Sequence, residues 1–250
     1  MWHQPWRLFT EANQESISII IPAYNEEQSL EQAVLFTWNS FHTLGLDFEI
    51  IIVDDKSTDN TAGIADAIAA NHENILAVHH AVNKGIGGAF RSGIDRATKE
   101  FVIFVPVDNP LGTEDIEAYL KHMKSSDIVV GSRAERIGYT RFAYFASMIY
   151  NRILIPLFFN VGISDVNWIQ VYRRRLFSER IIDFKNDRIF FLVEILVLAR
   201  KQNLIITEVP AKMKRRIHGK STCARPSMMV STFLDMLSFF RQIHRRSSDR

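Results

Sequence analysis

Two adjacent aspartates stand directly after a run of isoleucine and valine in the first quarter of the chain. Asp54 and Asp55 are charged hydrogen-bond acceptors. They suit the hydroxyls of a ribose or the N–H groups of a base, because charge-assisted hydrogen bonds are the stronger ones. Helix capping is the alternative role for such acids, and it is open for Asp55 and for Asp59. The pair indicates a loop that binds a nucleoside.

A second group of residues has the chemistry of phosphate binding. Lys84 precedes the glycine-rich segment 85–88 at the start of a helical pattern, where free backbone N–H groups would suit a phosphate. Glycines also occur in plain tight turns, so this signal is weak by itself. Arg133, Arg216 and Lys220 are candidate anion clamps, because the Arg fork matches phosphate geometry. A solvated basic loop is the alternative for the last two.

These residues need elements to position them, and the first half of the chain alternates short apolar runs with helical patterns. Strands are predicted at 16–21, 48–53, 75–79, 101–105 and 127–130. Helices are predicted at 26–44, 59–71, 86–98 and 114–124. The alternation favours an α/β fold with a mostly parallel sheet flanked by helices. Ligands of such sheets bind outside the carboxyl ends of the strands, here the loops at 22–26, 54–59, 83–88 and 106–110.

The second half of the chain is patterned differently. It contains amphipathic helices, one strand near 204–208 and a basic loop at 212–221. The apolar segments 142–162 and 228–244 either pack in the core or lie together on a membrane surface, where apolar area and basic flanks combine. No segment is apolar enough over the roughly 20 residues that a spanning helix needs. No linker is evident, so we expect one domain over 1–250 with two functional halves, 1–130 and 131–250.

Composition is that of a folded globular protein, with 47% hydrophobic and 23% charged residues, which excludes disorder and collagen. Cys223 is the single cysteine, so a disulfide scaffold is excluded and a reducing compartment is expected. The net charge of +2 argues against nucleic acid as a partner. It conceals an asymmetry: residues 1–130 carry a net charge of −11, and residues 131–250 carry +13. A basic second half suits an anionic membrane surface.

Six motifs carry a resemblance to a known family. The segments 19–27 (IIIPAYNEE) and 51–61 (IIVDDKSTDNT) resemble family 2 glycosyltransferases, which have the nucleotide-sugar-binding α/β fold called GT-A. Further matches follow in order at 83–89, 130–133, 208–210 and 216–221. This order resembles the dolichol-phosphate mannose synthase branch, whose members act on polyprenyl phosphates. The resemblance covers about residues 16–222, and it is strong because the six motifs occur in the right order and spacing.

The resemblance implies a donor site, in which 1–130 forms the nucleotide-sugar-binding half. The family's pattern falls on the base-binding loop, the strand ends and the basic loop, at Pro22, Tyr24, Glu26, Asp54, Asp55, Lys84, Asp108, Arg216, Lys220 and Ser221. Arg216 and Ser221 would hold the donor pyrophosphate. The family usually has a lysine where Thr222 stands, so Lys220 is expected to substitute for it.

The resemblance also implies an acceptor-binding half at 131–250. Arg133 is expected to face the acceptor phosphate and to act in catalysis. Family members carry an arginine one turn before a Ser-x-x-x-Asn pattern on a membrane-facing helix; Ser147 and Asn151 fit this pattern, and Arg141 is the nearest arginine. At 168–170 the sequence Trp-Ile-Gln replaces the usual Gly-Phe-Lys/Arg, so recognition of the acceptor or of the sugar is expected to differ.

The metal site departs from the family as well. Relatives have Asp-x-Asp after the fourth strand, which holds a divalent cation against the pyrophosphate. Here Pro106 stands at the first position, and only Asp108 matches. One carboxylate, diphosphate oxygens and waters can hold Mg²⁺, and Mn²⁺ is the alternative. A turn residue before Pro110 is the other role open to Asp108.

The sequence therefore predicts transfer of a sugar, with inversion, from a nucleotide diphosphate sugar to a polyprenyl phosphate. The enzyme would lie at the cytoplasmic face of a membrane, and a membrane-protein partner or a homo-oligomer is left open. A hydroxyl acceptor is the first alternative; it would need a carboxylate base, for which Asp108 and Asp165 are the candidates. A nucleotide-sugar-binding protein without activity is the second alternative, because of Pro106.

Overall fold

A seven-stranded sheet forms the centre of the computed structural model, which describes residues 15–133, 139–211 and 226–248. The strands are β1 (Ser16–Ala23), β2 (Asp47–Asp54), β3 (Ile75–His79), β4 (Phe101–Phe104), β5 (Ile128–Arg133), β6 (Gln170–Arg173) and β7 (Ile206–Ala211). Their order is β3-β2-β1-β4-β6-β5-β7. Neighbouring strands in this sheet are parallel, except that β6 runs antiparallel to both β4 and β5. The predicted α/β class and mostly parallel sheet are confirmed.

The helices lie close to where the sequence predicts them. They are α1 (Leu30–Thr43), α2 (Thr61–Ala70), α3 (Gly85–Arg96), α4 (Thr113–Met123), α5 (Arg141–Ile149), α6 (Ile155–Phe158), α7 (Arg175–Ser178), α8 (Phe191–Lys201) and α9 (Pro226–Ser248). A π-helical turn, Tyr150–Leu154, joins α5 to α6. The start of α1 falls later than predicted, because the chain leaves β1 through a loop in which Asn25 has a φ of 55°.

The isoleucines of β1 are buried on both faces of the sheet. Ile19 packs in one cluster with Leu30 of α1, and Ile20 packs in a second cluster with Phe90 of α3 and Phe191 of α8. Successive side chains of a strand point to opposite faces. An uninterrupted apolar run is therefore the pattern of a strand covered by helices on both sides, and this is why such runs located the strands correctly.

Strand β6 was not predicted, and it accounts for the unusual segment at 168–170. Gln170 opens the strand and is fully buried; its Nε2 donates to the Val166 carbonyl at 2.9 Å, and its Oε1 accepts from the Tyr172 hydroxyl at 2.8 Å. Trp168 and Ile169 are also buried. In this fold the segment is a packed strand start, whose side chains contact other parts of the protein.

Helix α9 packs in the core through part of its surface, as one of the two roles considered for the segment 228–244 requires, and the membrane role stays a prediction. Met236 and Phe239 are buried in the core, whereas Val230 and Phe233 are exposed. Asp235, which the helical pattern places on a polar stripe, lies 3.2 Å from Arg188 in an ion pair. Among the described residues, we find no helix with the length and apolarity needed to cross a bilayer.

Candidate functional site

Three loops meet at the carboxyl ends of β1, β2 and β3, and we call them the polar edge (residues 23–29, 54–61 and 79–85). Ala23 lies opposite Asp54 in the parallel register, so the first two loops run side by side. The Asn25 N–H donates to Ser57 Oγ at 3.0 Å, and the Glu26 N–H donates to Thr61 Oγ1 at 2.8 Å. These backbone contacts hold the loop after β1 against the loop after β2.

Asp54 and Asp55 lie where the sequence predicts them, at the end of β2, and both are buried. Asp54 Oδ1 accepts the Ser57 N–H at 3.1 Å. Asp55 Oδ1 accepts the Lys84 N–H at 2.8 Å and lies 2.6 Å from Nδ1 of His80. Buried carboxylates require such partners, because an unpaired buried charge is costly. The nearby loops therefore stabilise both acids at the sheet edge.

Asp59 takes the capping role that the sequence left open. Its Oδ1 accepts the Thr61 N–H at 3.0 Å at the start of α2, and its Oδ2 accepts the Glu27 N–H at 3.2 Å. Burial alone would raise the pKa of this carboxyl, but the hydrogen bonds from Thr61 and Glu27 outweigh burial and hold the pKa below its ordinary value of 3.8. Asp59 thus joins two loops of the polar edge as a carboxylate.

The residues predicted to contact the base lie on the same edge. Pro22 is near the end of β1, opposite Val53, and is partly buried. Tyr24 is 50% exposed. Its ring is accessible to a base, but the same exposure is expected of an ordinary surface aromatic residue. Glu26 is half-buried and its carbonyl accepts the N–H of Leu30, which starts α1. The structure brings these three residues next to Asp54 and Asp55 through the paired loops.

The glycine-rich start of α3 differs from the prediction of free N–H groups. The Lys84 N–H is bonded to Asp55, and the Gly87 N–H donates to the Asp187 carbonyl at 2.8 Å. A Cβ on Gly87 would lie 2.1 Å from the Asn186 carbonyl oxygen. The glycines are needed because the backbone of 186–187 approaches closely, so the expected open phosphate cradle is wrong for these amides. The Lys84 side chain is exposed, and its contact with the donor stays a prediction.

Asp108 lies in the loop after β4 and is half-buried. It borders a small cavity together with Ser29, Gln32 and Phe36. Across residues 15–133, 139–211 and 226–248, no three His, Cys, Asp or Glu side chains are grouped as metal ligands. Asp108 therefore stays the one metal ligand that the sequence predicts on this loop, because Pro106 occupies the position of the first acid.

Arg133 is not an open anion clamp. Its side chain is 5% exposed and that of Asp165 is 1% exposed. The guanidinium binds this carboxylate with two bonds, Nε to Oδ2 at 2.6 Å and Nη2 to Oδ1 at 2.8 Å. Nη1 donates to the Tyr139 hydroxyl at 2.9 Å, and the guanidinium carbon lies 4.5 Å from the centre of the Trp168 ring. The charge of Arg133 is therefore paired within the protein, and its contact with an acceptor phosphate stays a prediction.

The same pairing bears on the two candidate bases. Burial alone would lower the pKa of Arg133, but its bonds and charge interaction with Asp165 outweigh burial and raise that pKa above its ordinary value. The pair is therefore a stable cation and anion in contact. Asp165 uses both oxygens to hold the guanidinium, and a role of either Asp108 or Asp165 as a base stays a prediction.

The Ser-x-x-x-Asn pattern forms an internal anchor. Asn151 is 2% exposed and lies in the π-helical turn; its Nδ2 donates to the Ser147 carbonyl at 2.8 Å. Its Oδ1 accepts the Val166 N–H at 3.0 Å. Arg141 is exposed at the start of α5. The pattern thus joins α5 to the loop that carries Asp165, and direct contact of Arg141 or Ser147 with an acceptor stays a prediction.

Exposed apolar side chains are concentrated on α5, α6, the π-helical turn and α9, and we call this set the apolar face. Its members are Phe142, Tyr144, Phe145, Met148, Ile153, Leu157, Val230, Phe233 and Leu234. Leu157 is 74% exposed and Phe142 is 63% exposed. Large exposed apolar patches mark interaction surfaces. The helices that carry them are packed together, with the rings of Phe158 and Phe240 centred 5.1 Å apart.

Three predicted donor residues, Arg216, Lys220 and Ser221, lie outside the described residues. Sequence reasoning gave no role to His80, which contacts Asp55. Glu208 belongs to the motif at 208–210 but was given no role of its own, and it accepts the Ser164 N–H at 3.1 Å beside the end of β5. The signal for His80 was available, since it directly follows a predicted strand and precedes the glycine-rich segment.

Known proteins share this sequence pattern. The family model described as Glycosyl transferase family 2 matches residues 18–182. A dolichyl-phosphate beta-glucosyltransferase of Trichomonas vaginalis is 28% identical over 241 residues, which cover 91% of this chain and 74% of the relative. An uncharacterized protein of Methanocaldococcus jannaschii is 24% identical over 250 residues, which cover 93% of this chain and 94% of the relative.

Solved structures share the fold. Glucosyl-3-phosphoglycerate synthase of Mycobacterium tuberculosis, crystallised with Mn²⁺, uridine diphosphate and phosphoglyceric acid, superposes with a TM-score of 0.68 at 18% identity, covering 89% of this chain and 78% of that one. S. aureus TarS 1–349 in complex with UDP-GlcNAc superposes with a TM-score of 0.56 at 20% identity, covering 84% of this chain. This chain spans 61% of that TarS chain. The predicted GT-A fold is confirmed.

Proposed function

The chain belongs to glycosyl transferase family 2, and from that premise we propose that this glycosyltransferase moves a sugar from a nucleotide diphosphate sugar to a polyprenyl phosphate such as dolichyl or undecaprenyl phosphate. The similarity to a dolichyl-phosphate beta-glucosyltransferase over 91% of the chain supports a lipid phosphate acceptor. The polar edge supports a nucleotide sugar as the donor, because its carboxylates suit ribose hydroxyls and base N–H groups.

One observation carries the choice of acceptor: the apolar face is joined to the catalytic end of the sheet. Asn151 lies in the π-helical turn that also carries Ile153 of this face; its side chain donates to the Ser147 carbonyl of α5 and accepts the Val166 N–H in the loop of Asp165. A prenyl chain bound along α5 and α6 would therefore have its phosphate near the carboxyl ends of β5 and β4. Ligands of parallel sheets bind at these ends.

Membrane docking follows from the same surface. Arg141 and Arg152 are exposed on the helical stretch that also exposes Phe145 and Leu157. Apolar side chains beside arginines suit an anionic bilayer surface, where each basic residue near the lipid adds about 1 kcal/mol. We propose that the protein binds peripherally at the cytoplasmic face of the membrane and that it does so through the apolar face. Whether a membrane protein or a second copy of this chain joins it there is an open part of the proposal.

The reaction needs little acid–base chemistry. A polyprenyl phosphate is already an anion near neutral pH, so its oxygen can attack the anomeric carbon directly. The bond from that carbon to the diphosphate breaks, its electron pair leaves with the nucleoside diphosphate, and the configuration is inverted. Catalysis then consists of positioning and of stabilising the leaving diphosphate. The polar edge would orient the nucleoside, and Lys84, Arg216 and Lys220 would supply positive charge to the phosphates.

A divalent cation fits this site through one residue. Asp108 is a half-buried carboxylate in the loop after β4, and carboxylate oxygens are the ligands that Mg²⁺ and Mn²⁺ accept. Pro106 offers no side-chain ligand, so diphosphate oxygens and waters would complete the coordination. The ion, when bound, would neutralise charge on the diphosphate. The Mn²⁺ in the mycobacterial synthase structure supports a divalent cation here.

Radiolabelled sugar transfer tests the acceptor. The purified protein is mixed with vesicles that contain undecaprenyl or dolichyl phosphate, with a panel of UDP- and GDP-sugars, and with Mg²⁺, Mn²⁺ or a chelator. We expect label in the organic phase for one donor, and more of it with a divalent cation. Vesicles with the matching polyprenol, which lacks the phosphate, are the control and are expected to accept no sugar.

A hydroxyl acceptor is the alternative that this experiment separates. It would require a general base, for which Asp108 and Asp165 are the candidates, and Asp165 would first have to release Arg133. Transfer to a soluble hydroxyl acceptor, with no label in the polyprenyl phosphate fraction and no gain from vesicles, would overturn the proposed acceptor.

A further inference from the structure

A buried histidine of the polar edge lies between the loop after β2 and helix α3. His80 follows β3 and is 7% exposed. Its Nδ1 lies 2.6 Å from Asp55 Oδ1, and its Nε2 lies 2.9 Å from the Ser92 hydroxyl in α3. An ionised carboxylate can only accept, so Nδ1 carries the proton. In the neutral ring, Nε2 then accepts the Ser92 hydroxyl hydrogen.

The bonds to Asp55 from the described part of the chain concentrate on one oxygen. Oδ1 accepts from His80 Nδ1–H and from the Lys84 N–H at 2.8 Å. The Asn83 side chain donates instead to the Asp55 carbonyl, at 3.0 Å. A carboxylate oxygen has two lone pairs, so Oδ1 is filled. This leaves Oδ2 as the oxygen that can accept a bond from a ligand.

Of the two hydrogen bonds to Asp55 Oδ1, the one from His80 is donated by a side chain. The other is donated by the backbone N–H of Lys84, and any variant of His80 would retain it. The far side of the ring is held by Ser92, and the backbone N–H of His80 donates to the Asp54 carbonyl at 2.9 Å, which fixes the chain that carries the ring. A ring held this way prevents the Asp55 carboxylate from rotating about its terminal bond.

We propose that His80 is the positioning residue of the donor site: it orients the Asp55 carboxylate so that Oδ2 faces the nucleoside of the sugar donor. The inference rests on the proposed function in one respect, that Asp55 binds a nucleotide sugar. His80 itself does not touch the substrate. Its effect is on donor affinity, because the nucleoside is remote from the bond that breaks and its contacts are equal in the ground state and the transition state.

Two substitutions test the hydrogen bonds of the two ring nitrogens one at a time. The Asn amide nitrogen in His80→Asn falls near the position of Nδ1 and keeps the bond to Asp55. The Gln amide in His80→Gln falls near Nε2 and keeps only the Ser92 side. We expect H80Q to raise the donor KM about tenfold with kcat nearly unchanged, since one hydrogen bond to a charged group is worth about that factor. H80N is expected to stay within about twofold of the wild type.

Calorimetric binding of UDP and GDP measures the same effect without the transfer reaction. The affinity for the nucleotide that binds the wild type should fall about tenfold in H80Q and be retained in H80N. In an Asp55→Asn background, H80Q should cause no further loss, because its partner is already changed. Circular dichroism and thermal melting confirm that each variant is folded. If H80Q does not fold, Ser92→Ala loosens the far side of the ring and is expected to weaken binding about twofold to threefold.

The outcomes distinguish this inference from the proposed function. H80Q with wild-type nucleotide affinity, or H80N as weak as H80Q, would overturn the positioning role alone. A folded wild type that binds no nucleoside diphosphate would overturn the proposed function, and the positioning role with it. An additional loss in the D55N background would show that His80 does not act through Asp55.

Discussion

The polar edge and the apolar face differ in which side chains they bury. At the polar edge, Asp54 and Asp55 are buried and the loops around them donate hydrogen bonds. At the apolar face, Phe142 and Leu157 are exposed to solvent on helices that also contribute to the core. A buried carboxylate with directed donors is preorganised for a small polar ligand. An exposed apolar surface is suited to a lipid, because burial of apolar area is favourable without fixed geometry.

The Arg133–Asp165 pair forms a third region and differs from both. Its charges are buried as at the polar edge, but they neutralise each other and leave no net charge for a ligand. Such a pair is a weak source of net stability, yet it is expensive to break from one side. The pair is therefore either purely structural or opens to bind the acceptor, and substitutions can separate these two roles.

The largest effect is expected from Arg133→Met, which leaves Asp165 as an unpaired buried charge. We expect the free energy of unfolding to fall by about 3–5 kcal/mol, measured by chemical denaturation. The double variant R133M/D165L removes both charges and should recover most of that loss. If R133M instead loses less than about 1 kcal/mol and abolishes transfer to polyprenyl phosphate, Arg133 is an acceptor clamp after all.

The next effect concerns the close approach at the start of α3. In Gly87→Ala the new Cβ would meet the Asn186 carbonyl, and we expect a loss of about 1–3 kcal/mol in unfolding free energy together with weaker nucleotide binding. Gly63→Ala is the matched control in a helix of the same half. Its Cβ meets only the movable Asn60 side chain, so stability should change by less than about 1 kcal/mol. Equal effects of the two substitutions would contradict the backbone contact as the reason for Gly87.

A smaller effect is expected at the apolar face. Leu157→Gln should reduce binding to anionic vesicles by about fivefold, because part of a leucine side chain no longer enters the lipid, and leave folding stability unchanged within about 0.5 kcal/mol. Ile205→Gln is the control, since Ile205 is 58% exposed at the opposite end of the sheet. Co-sedimentation measures both variants. Equal losses for the two would show that the apolar face does not define the docking surface.

The smallest effect is a pH dependence at the polar edge. Partial burial alone would lower the pKa of His79, but hydrogen bonds and charges of Asp66 and Asp54 outweigh burial and raise this pKa above 6.5. The protonated ring therefore adds stability below pH 6.5, and this contribution is lost as the pH rises through the raised pKa. The ring is 36% exposed, so the contribution is under about 1 kcal/mol.

Denaturation of the wild type and His79→Gln at pH 5.5 and 8.5 measures this contribution. The advantage of the wild type should be present at the lower pH and shrink at the higher one. A difference that is the same at both values would contradict the ion pairs of His79 with Asp54 and Asp66.

Much of the fold was predictable because its signals are local. Apolar runs located β1 to β5, since strands covered on both faces are uniformly apolar. Strand β6 was missed because it is four residues long and lies in a polar-flanked segment, and its pairing with β4 and β5 joins distant parts of the chain. The strand-end acids were placed correctly for the same local reason, whereas the free amides predicted near Lys84 are bonded to residues such as Asp187.

The family, the α/β class and the sheet edge that carries Asp54 and Asp55 can be read from the residues alone. These follow from short motifs and from side-chain periodicity, which neighbouring residues set. Which charges are available to a ligand depends on contacts between segments that are distant in the sequence, and these contacts are seen only in the folded structure. Arg133 is neutralised by Asp165, which is 32 residues away, and Asp55 is oriented by His80, which is 25 residues away. Charge and hydrogen bonding depend on distances of a few ångströms, and such distances are created only when separate elements pack together.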